Sequence, residues 1–205
     1  MKNIMLIGAS GHGKIVAEIA QFNGYSNILF IDQAYPKKTK NGAWSIVEKP
    51  DRKILLATKN TDFFISIGNN KIREKISEEL KLTNCPILSH SSSIVSPYAQ
   101  IGKGTLICAG SIVNIDAKIG KFAIINTAAS IDHDCEIGDF VHVSLGVRLA
   151  GGVTIGARTW VGIGAMIKEN IKIGKDVIIG AGAVVLNDVE DGETVFGIPA
   201  KPIKG

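Results

Sequence analysis

From Val95 to Val185 an Ile, Leu or Val stands at every sixth residue, and this beat constrains the fold more than any other feature of the chain. The series runs Val95, Ile101, Ile107 and Val113, then through Ile131, Ile137, Val143 and Leu149 to Ile179 and Val185, without a gap. Ile, Leu and Val make up 57 of the 205 residues, so composition alone does not produce an unbroken run. A second register keeps the same phase: four residues after each aliphatic comes a small or β-branched residue, as at Ala99, Thr105, Ser111, Ala117 and Cys135. Gly follows the aliphatic directly at 102, 120, 138, 156, 162, 174 and 180. A period of six matches neither a helix nor an alternating hairpin strand, but it suits a parallel β-helix in which each hexad forms one face. The aliphatic points inward, the small residue fills a cramped site beside a corner, and Gly or Asn is expected to take the turn. Three hexads close a triangular coil, giving about five coils whose strands pair with equivalents above and below. Trp160, Val161 and Met166 are expected to form apolar outer surface that an isolated copy would leave in water.

Residues 1–88 read as a different architecture. Strand-like runs Asn3–Ile7, Ile28–Ile31 and Phe63–Ile67 alternate with helical patterns at Lys14–Asn23, with Ile15, Ile19 and Phe22 on one face, and at Asn70–Leu80, with Ile72, Ile76 and Leu80 on one face. That alternation predicts a small Rossmann-like parallel α/β domain, able to stand apart from a β-helix over 89–205, with the Pro86–Pro97 stretch as the junction. The first strand runs into Gly8-Ala9-Ser10-Gly11-His12-Gly13 and then a helix, which sets backbone N–H groups where a phosphate can bind. A tight structural turn accounts for the loop equally well. Asp32, at the end of the second strand, occupies the place where such domains hold a ribose hydroxyl.

The net charge of +4 is unclustered apart from Lys37, Lys38 and Lys40, which reads as a solvated loop and argues against nucleic acid as a partner. Three cysteines without CxxC spacing predict reduced packing residues in a cytoplasmic protein. The longest apolar run, Val177 to Leu186, is too short and too Gly-rich to span or insert into a membrane.

The chemistry concentrates in the repeat. His133 lies between Asp132 and Asp134, and an imidazole flanked by carboxylates is suited to general-base work near neutral pH. The same trio also fits a surface turn. His142, in the next hexad, is positioned to point outward toward a ligand, or to sit solvated or in an interface.

Taken together, the uninterrupted hexads, the GASGHG loop, IGNN followed by IRxKI at Ile67–Ile76, DHD after Asn126-Thr127, and the terminal GIPAK at Gly197–Lys201 resemble the NeuD/PglD-type sugar acyltransferases. Within that group the resemblance is to the UDP-4-amino-sugar N-acetyltransferases of bacillosamine-type glycan synthesis. It covers nearly the whole chain, and the combination of GASGHG, IGNN and DHD is specific to the group. The resemblance implies a left-handed parallel β-helix, a homotrimer, acetyl-CoA lying between two β-helices, a UDP-amino sugar held by the N-terminal domain, and no metal. It also implies residue roles. His133 is the general base, Asp134 raises its basicity, Asn126 neighbours the reacting centre, and a backbone N–H near Gly151 holds the oxyanion. His142, Ile163 and Ala181 contact acetyl-CoA; Ser10, Gly11, His12, Asp32, Gln33 and Gly68 bind the nucleotide sugar. Gln33 departs from the acid pair usual at that place, which leaves the uridine contacts open.

Three other functions fit parts of the chain. O-acetylation of a sialic or related sugar needs the same base and cofactor cleft. A γ-carbonic-anhydrase-like zinc site needs three histidines at an interface, whereas the repeat offers only His133 and His142. A catalytically silent scaffold needs only the hexads.

Overall fold

A computed structural model describes residues 1–58, 60–82 and 85–203. The N-terminal part is a five-stranded sheet in the order β3-β4-β2-β1-β5, comprising β1 (Lys2–Ile7), β2 (Tyr25–Ile31), β3 (Lys40–Asn41), β4 (Trp44–Glu48) and β5 (Thr61–Ile65). β1 pairs in parallel with β2 and β5, β2 with β4, and β3 closes the edge as an antiparallel hairpin. Helices α1 (Gly11–Phe22) and α2 (Arg52–Ala57) connect the strands of this sheet, and α3 (Asn70–Glu79) follows β5 toward the solenoid. α2, β3 and β4 carry short or interrupted apolar patterns that the sequence did not reveal.

The helix faces differ from the expected ones. In α1 the buried side is Val16, Ala17, Ile19 and Ala20, while Ile15 and Phe22 are exposed. In α3 Ile76 and Leu80 pack, partly buried, against the apolar core as expected, but Ile72 is exposed and the fully buried side is polar: Asn70, Arg73 and Ser77. An apolar face read at 100° per residue presumes an apolar partner. The polar side of α3 instead packs on a corner that offers it carbonyl groups.

From Leu88 to Val185, two-residue strands stack into three parallel sheets, one of which ends in the longer Thr194–Gly197 strand with antiparallel Ala200–Pro202 beside it. Face 1 runs Leu88, Leu106, Ile124, His142, Trp160, Ile178 and Thr194 by first residue of each strand; face 2 runs from Ile94 to Val184, and face 3 from Gln100 to Lys172. Up to Val185 the pairings join residues eighteen apart, as Ile112 with Ser130 or Trp160 with Ile178, so three hexads make one coil; in the last coil the spacing shortens, Ile178 pairing with Thr194 and Ile173 with Val189. The second strand residue and the small residue four further on build one continuous interior, from Val113 and Ala117 to Val189 and Val195. Val161 belongs to this interior, buried, rather than to the outer surface; Trp160 and Met166 are exposed, on faces 1 and 2 respectively.

Turn geometry sits three residues after the aliphatic. Positive φ falls there at every hexad from Gly104 to Gly182, and the residue is often not Gly: Asp116, Phe122, Ala128, Asp134, Phe140, Arg158, Asn170 and Asp176 adopt it. The glycines directly after the aliphatic answer a different need. A Cβ on Gly102 would lie 2.5 Å from the Gly120 carbonyl carbon of the next coil, so close stacking, not backbone conformation, selects them.

Face 1 is a floor for the N-terminal part. Leu88, Leu106, Cys108 and Ile124 share one core with Ile4, Val16, Ile19 and Phe30; Phe122 and Phe140 share another with Met5, Ile65 and Leu82. The expected boundary near residue 88 is therefore crossed by shared cores, in which Leu106, Ile124, Phe122 and Phe140 on the outside of the solenoid are covered by the N-terminal part.

Candidate active site

Corner residues stack in columns, and the corner between faces 2 and 3 carries Ile115, His133 and Gly151, linked as Asp134 N–H to Ile115 O and Gly152 N–H to His133 O. His133 projects into solvent with Nδ1 2.8 Å from Asp134 Oδ2. A carboxylate only accepts, so Nδ1 carries the proton and Nε2 presents a lone pair. The hydrogen bond that Nδ1–H donates to Asp134, followed by the charge of Asp132, raises the His133 pKa above its ordinary value. Asp132 faces away from the ring: its Oδ1 accepts from Asn114 Nδ2 and from the His133 N–H, both at 2.8 Å, and these bonds hold its carboxyl below the usual range. Asp134 occupies the left-handed corner at φ 59°, a conformation that Asp tolerates better than most residues. Gly151 lies one coil above, where a Cβ would stand 2.5 Å from His133 Cε1 and 2.6 Å from Nε2. Only glycine lets the imidazole lie there, and the Gly151 N–H takes no part in the backbone ladder.

The second cluster occupies face 1 and its corner with face 2. Asn126 Oδ1 accepts from Thr127 N–H at 2.8 Å, which turns Asn126 Nδ2 toward His142 Nε2 at 3.1 Å. His142 Nδ1 faces the Gly68 carbonyl at 3.2 Å. A carbonyl accepts, so His142 is the Nδ1–H tautomer with both nitrogens engaged. Burial, then the charge of Arg73, pushes its pKa down to about 4; the ring is neutral. His142 thus lies under the N-terminal part rather than pointing freely outward, and Asn126 bonds His142, not His133. His12 has its ring 6.4 Å from that of His142. Burial lowers its pKa to about 4, and its buried Nε2 has no partner among the described residues. Beside them a cavity of about 560 Å³ is lined by Gly68, Asn70, His142, Trp160 and Ile178.

The GASGHG loop is held from three sides. Asp32 accepts from Ala9 N–H at 2.6 Å and Ala34 N–H at 2.8 Å, Lys38 donates to Ala9 O and Asn41 to Ser10 O, and Ser66 donates to Gly8 O. Ser10 provides no side-chain cap, so the first-turn N–H groups of α1 beside exposed Ser10 and Gly11 face outward, as an anion requires. Asp32 supports this loop, and with Gln33, Ile67 and Leu80 it lines a cleft of about 130 Å³. Ile163 and Ala181 stack, exposed, on the corner between faces 1 and 2 above Leu145. Among the described residues no group of three His, Cys, Asp or Glu side chains is arranged to hold a metal.

Sequence reasoning missed Arg73, Asn70 and Trp160. The Arg73 signal was present, a cation at i+3 from an Asn-Asn helix start, but its burial depends on what α3 packs against.

Residues 3–80 match the family model described as the PglD N-terminal domain, and residues 152–187 match the bacterial transferase hexapeptide (six repeats). The UDP-N-acetylbacillosamine N-acetyltransferase of Bacillus subtilis (strain 168) is 35% identical over 115 residues, 53% of this chain. That match spans 52% of the relative, about half its length. The acetyltransferase domain of PglB from Neisseria gonorrhoeae FA1090, solved with acetyl coenzyme A, superposes with a TM-score of 0.93 and 36% identity over 98% of this chain and 99% of that one. A point mutant of perosamine N-acetyltransferase from Caulobacter crescentus, solved with CoA and GDP-perosamine, gives a TM-score of 0.93 and 33% identity over 99% and 97%. An α/β part carrying the glycine loop, a hexad solenoid carrying the His133–Asp134 pair, and identity above 30% across nearly two whole chains place this protein in the PglD-type family of hexapeptide-repeat sugar acetyltransferases.

Proposed function

We propose that the protein transfers the acetyl group of acetyl-CoA to the 4-amino group of a UDP-linked amino-deoxy sugar, with His133 as general base. The observation that carries this reading is the His133–Asp134 pair, its Nε2 lone pair open at a solvent-facing corner. Nε2 takes the proton of the attacking amine as the C–N bond forms, the carbonyl oxygen becomes an oxyanion facing a backbone N–H such as that of Gly151, and the C–S bond then breaks to release CoA as thiolate. The imidazolium returns its proton to the leaving group or to solvent. No covalent enzyme intermediate is needed.

Ser10, Gly11 and His12 at the start of α1, with the Asp32–Gln33 cleft and Gly68, supply the nucleotide-sugar site. The exposed Leu145, Ile163 and Ala181 column, running along the solenoid axis beside His142, fits the apolar arm of the cofactor. The cofactor column and His133 lie on different corners of the solenoid with face 2 between them, and the nucleotide-sugar groups sit over face 1. A complete site therefore needs a second copy, whose His133 corner meets this chain's cofactor corner, and a closed homotrimer meets that requirement three times. Both substrates are intracellular metabolites, which makes the cytoplasm the expected location.

The Bacillus relative supports UDP; the Caulobacter enzyme binds a GDP sugar. Incubation with acetyl-CoA and a panel of UDP- and GDP-linked 4-amino sugars and CMP-sialic acid, read by mass spectrometry, separates the cases. The expected product is the N-acetylated UDP sugar. Acetylation of a sialic acid hydroxyl alone overturns the reading in favour of O-acetyl transfer.

A further inference from the structure

In the solenoid, each left-handed corner residue from Phe122 to Gly182 donates its N–H to the coil below, as Phe140 N–H does to Lys121 O, but no backbone ladder bond uses its carbonyl. The column of such carbonyls between faces 3 and 1 is the surface that α3 meets. Arg73 donates through Nε to Phe122 O and through Nη2 to Phe140 O, both at 2.8 Å, and Asn70 Nδ2 donates to Arg158 O at 2.9 Å. Three successive coils are thereby engaged by two residues one helical turn apart.

Arg73 is 1% exposed, and all its acceptors are neutral oxygens. Besides the two corner carbonyls they are Ile67 O and Gly68 O at 3.0 Å, Asn70 Oδ1 at 3.0 Å and Val141 O at 3.4 Å. A buried cation without a counter-ion is costly unless its donors are satisfied. Here the planar fork is filled on every side, in a geometry that the point charge of lysine does not reproduce. The Gly68 carbonyl also accepts from His142 Nδ1–H, so guanidinium and imidazole converge on one oxygen in the wall of the 560 Å³ cavity.

We propose that Arg73 is a positioning residue for the transfer site: it fixes the Ile67–Gly68 loop at a set height on the solenoid and, through the shared Gly68 carbonyl, holds His142 in the orientation that engages Asn126. Its kinetic consequence rests on the acetyltransferase reading above; its structural consequence does not.

The test uses full-length Arg73→Lys and Arg73→Gln, with the native assembly verified by size-exclusion chromatography. Histidine ¹⁵N NMR reads the His142 tautomer without any substrate, and steady-state kinetics then reads both KM values. The expected result is a His142 that changes from a single Nδ1–H form to a mixture. The sugar KM should rise about tenfold or more, in keeping with the loss of a charged hydrogen bond, with a smaller rise in the acetyl-CoA KM through the displaced His142. A lower melting temperature with unchanged tautomer and sugar KM overturns the proposal and leaves Arg73 a purely structural clamp. If neither variant folds, Asn70→Ala keeps the guanidinium and removes one acceptor and the Arg158 link. A smaller change in the same two readouts supports the proposal, and none overturns it. Should the wild type acetylate no sugar in the panel, the functional reading falls, while the tautomer still decides the role of Arg73.

Discussion

His133 combines exposure, a fixed tautomer and a raised pKa, and each has a cause in a neighbouring residue: an outward corner, Asp134, and the Asp134 and Asp132 carboxylates in turn. Replacing His133 by Ala is expected to lower kcat by about 10²–10⁴-fold with the acetyl-CoA KM nearly unchanged, measured by thiol release. Asp134→Asn is a clean test of the pair because Asn also tolerates the left-handed corner. A base acts when unprotonated, so activity rises with pH through the His133 pKa. The neutral amide stabilises the imidazolium less than the carboxylate does, so the acid limb of the kcat/KM profile is expected to move to lower pH. Gly151→Ala forces the ring off its partner, and a displacement of that order costs about 10²-fold in kcat; unchanged kcat would show that the ring is free to relocate. The repeat made His133 and Asp134 readable because DHD interrupts it. The placement of Asn126 beside His142 was not readable, since the direction of a side chain at a corner depends on the coil above and on the part docked beneath.

At the scale of elements, the corner column bearing Phe122 and Phe140 explains how two unlike architectures join. The rings stack at 5.3 Å, 5° from parallel, although both residues sit at positive φ, which bulky side chains seldom adopt. Phe140→Gly removes a left-handed penalty of roughly 1–2 kcal/mol but loses a buried ring costing about 3–5 kcal/mol. The net expectation is destabilisation by roughly 2–3 kcal/mol, read as a lower denaturant midpoint. Deleting residues 1–87 is expected to yield aggregated protein, not a free solenoid, because Leu106, Ile124, Phe122 and Phe140 lose their cover. A monodisperse, folded fragment in light scattering would contradict this. The hexads were legible because every one repeats the same demand. Only part of α3 was legible: Ile76 and Leu80 face an apolar core, but the side bearing Asn70 and Arg73 meets a row of carbonyls, and a hydrophobic period cannot report a polar docking surface.

For the whole molecule, exposed apolar residues run along face 2 and its two edges: Ile94 at 65%, Met166 at 55%, Ile163 at 57% and Ile115 at 47%. That patch separates the two halves of the candidate site. Light scattering is expected to give three times the chain mass of 21.8 kDa. The shared-site arrangement makes a sharper prediction. His133→Ala and His12→Ala chains, each inactive alone, are expected to regain activity when refolded together, with about a quarter of sites receiving both intact residues under random assembly. No recovery from a mixture of proven heterotrimers would place both residues in one chain's site.

The sequence by itself determined the solenoid, its interior and the imidazole proposed as the base, because a local repeat with a fixed period imposes the same inward direction at every coil and leaves an Asp-His-Asp break visible. The N-terminal loop and its helix were likewise written locally, in a strand, a glycine turn and a helix start. Tertiary structure alone decided that α3 buries an arginine, that His142 is held neutral beneath Gly68, and that His133 faces away from both. Those outcomes depend on which carbonyls remain unpaired after the coils have stacked and on how much water the docked part removes, quantities that exist only once residues far apart in the chain are brought together.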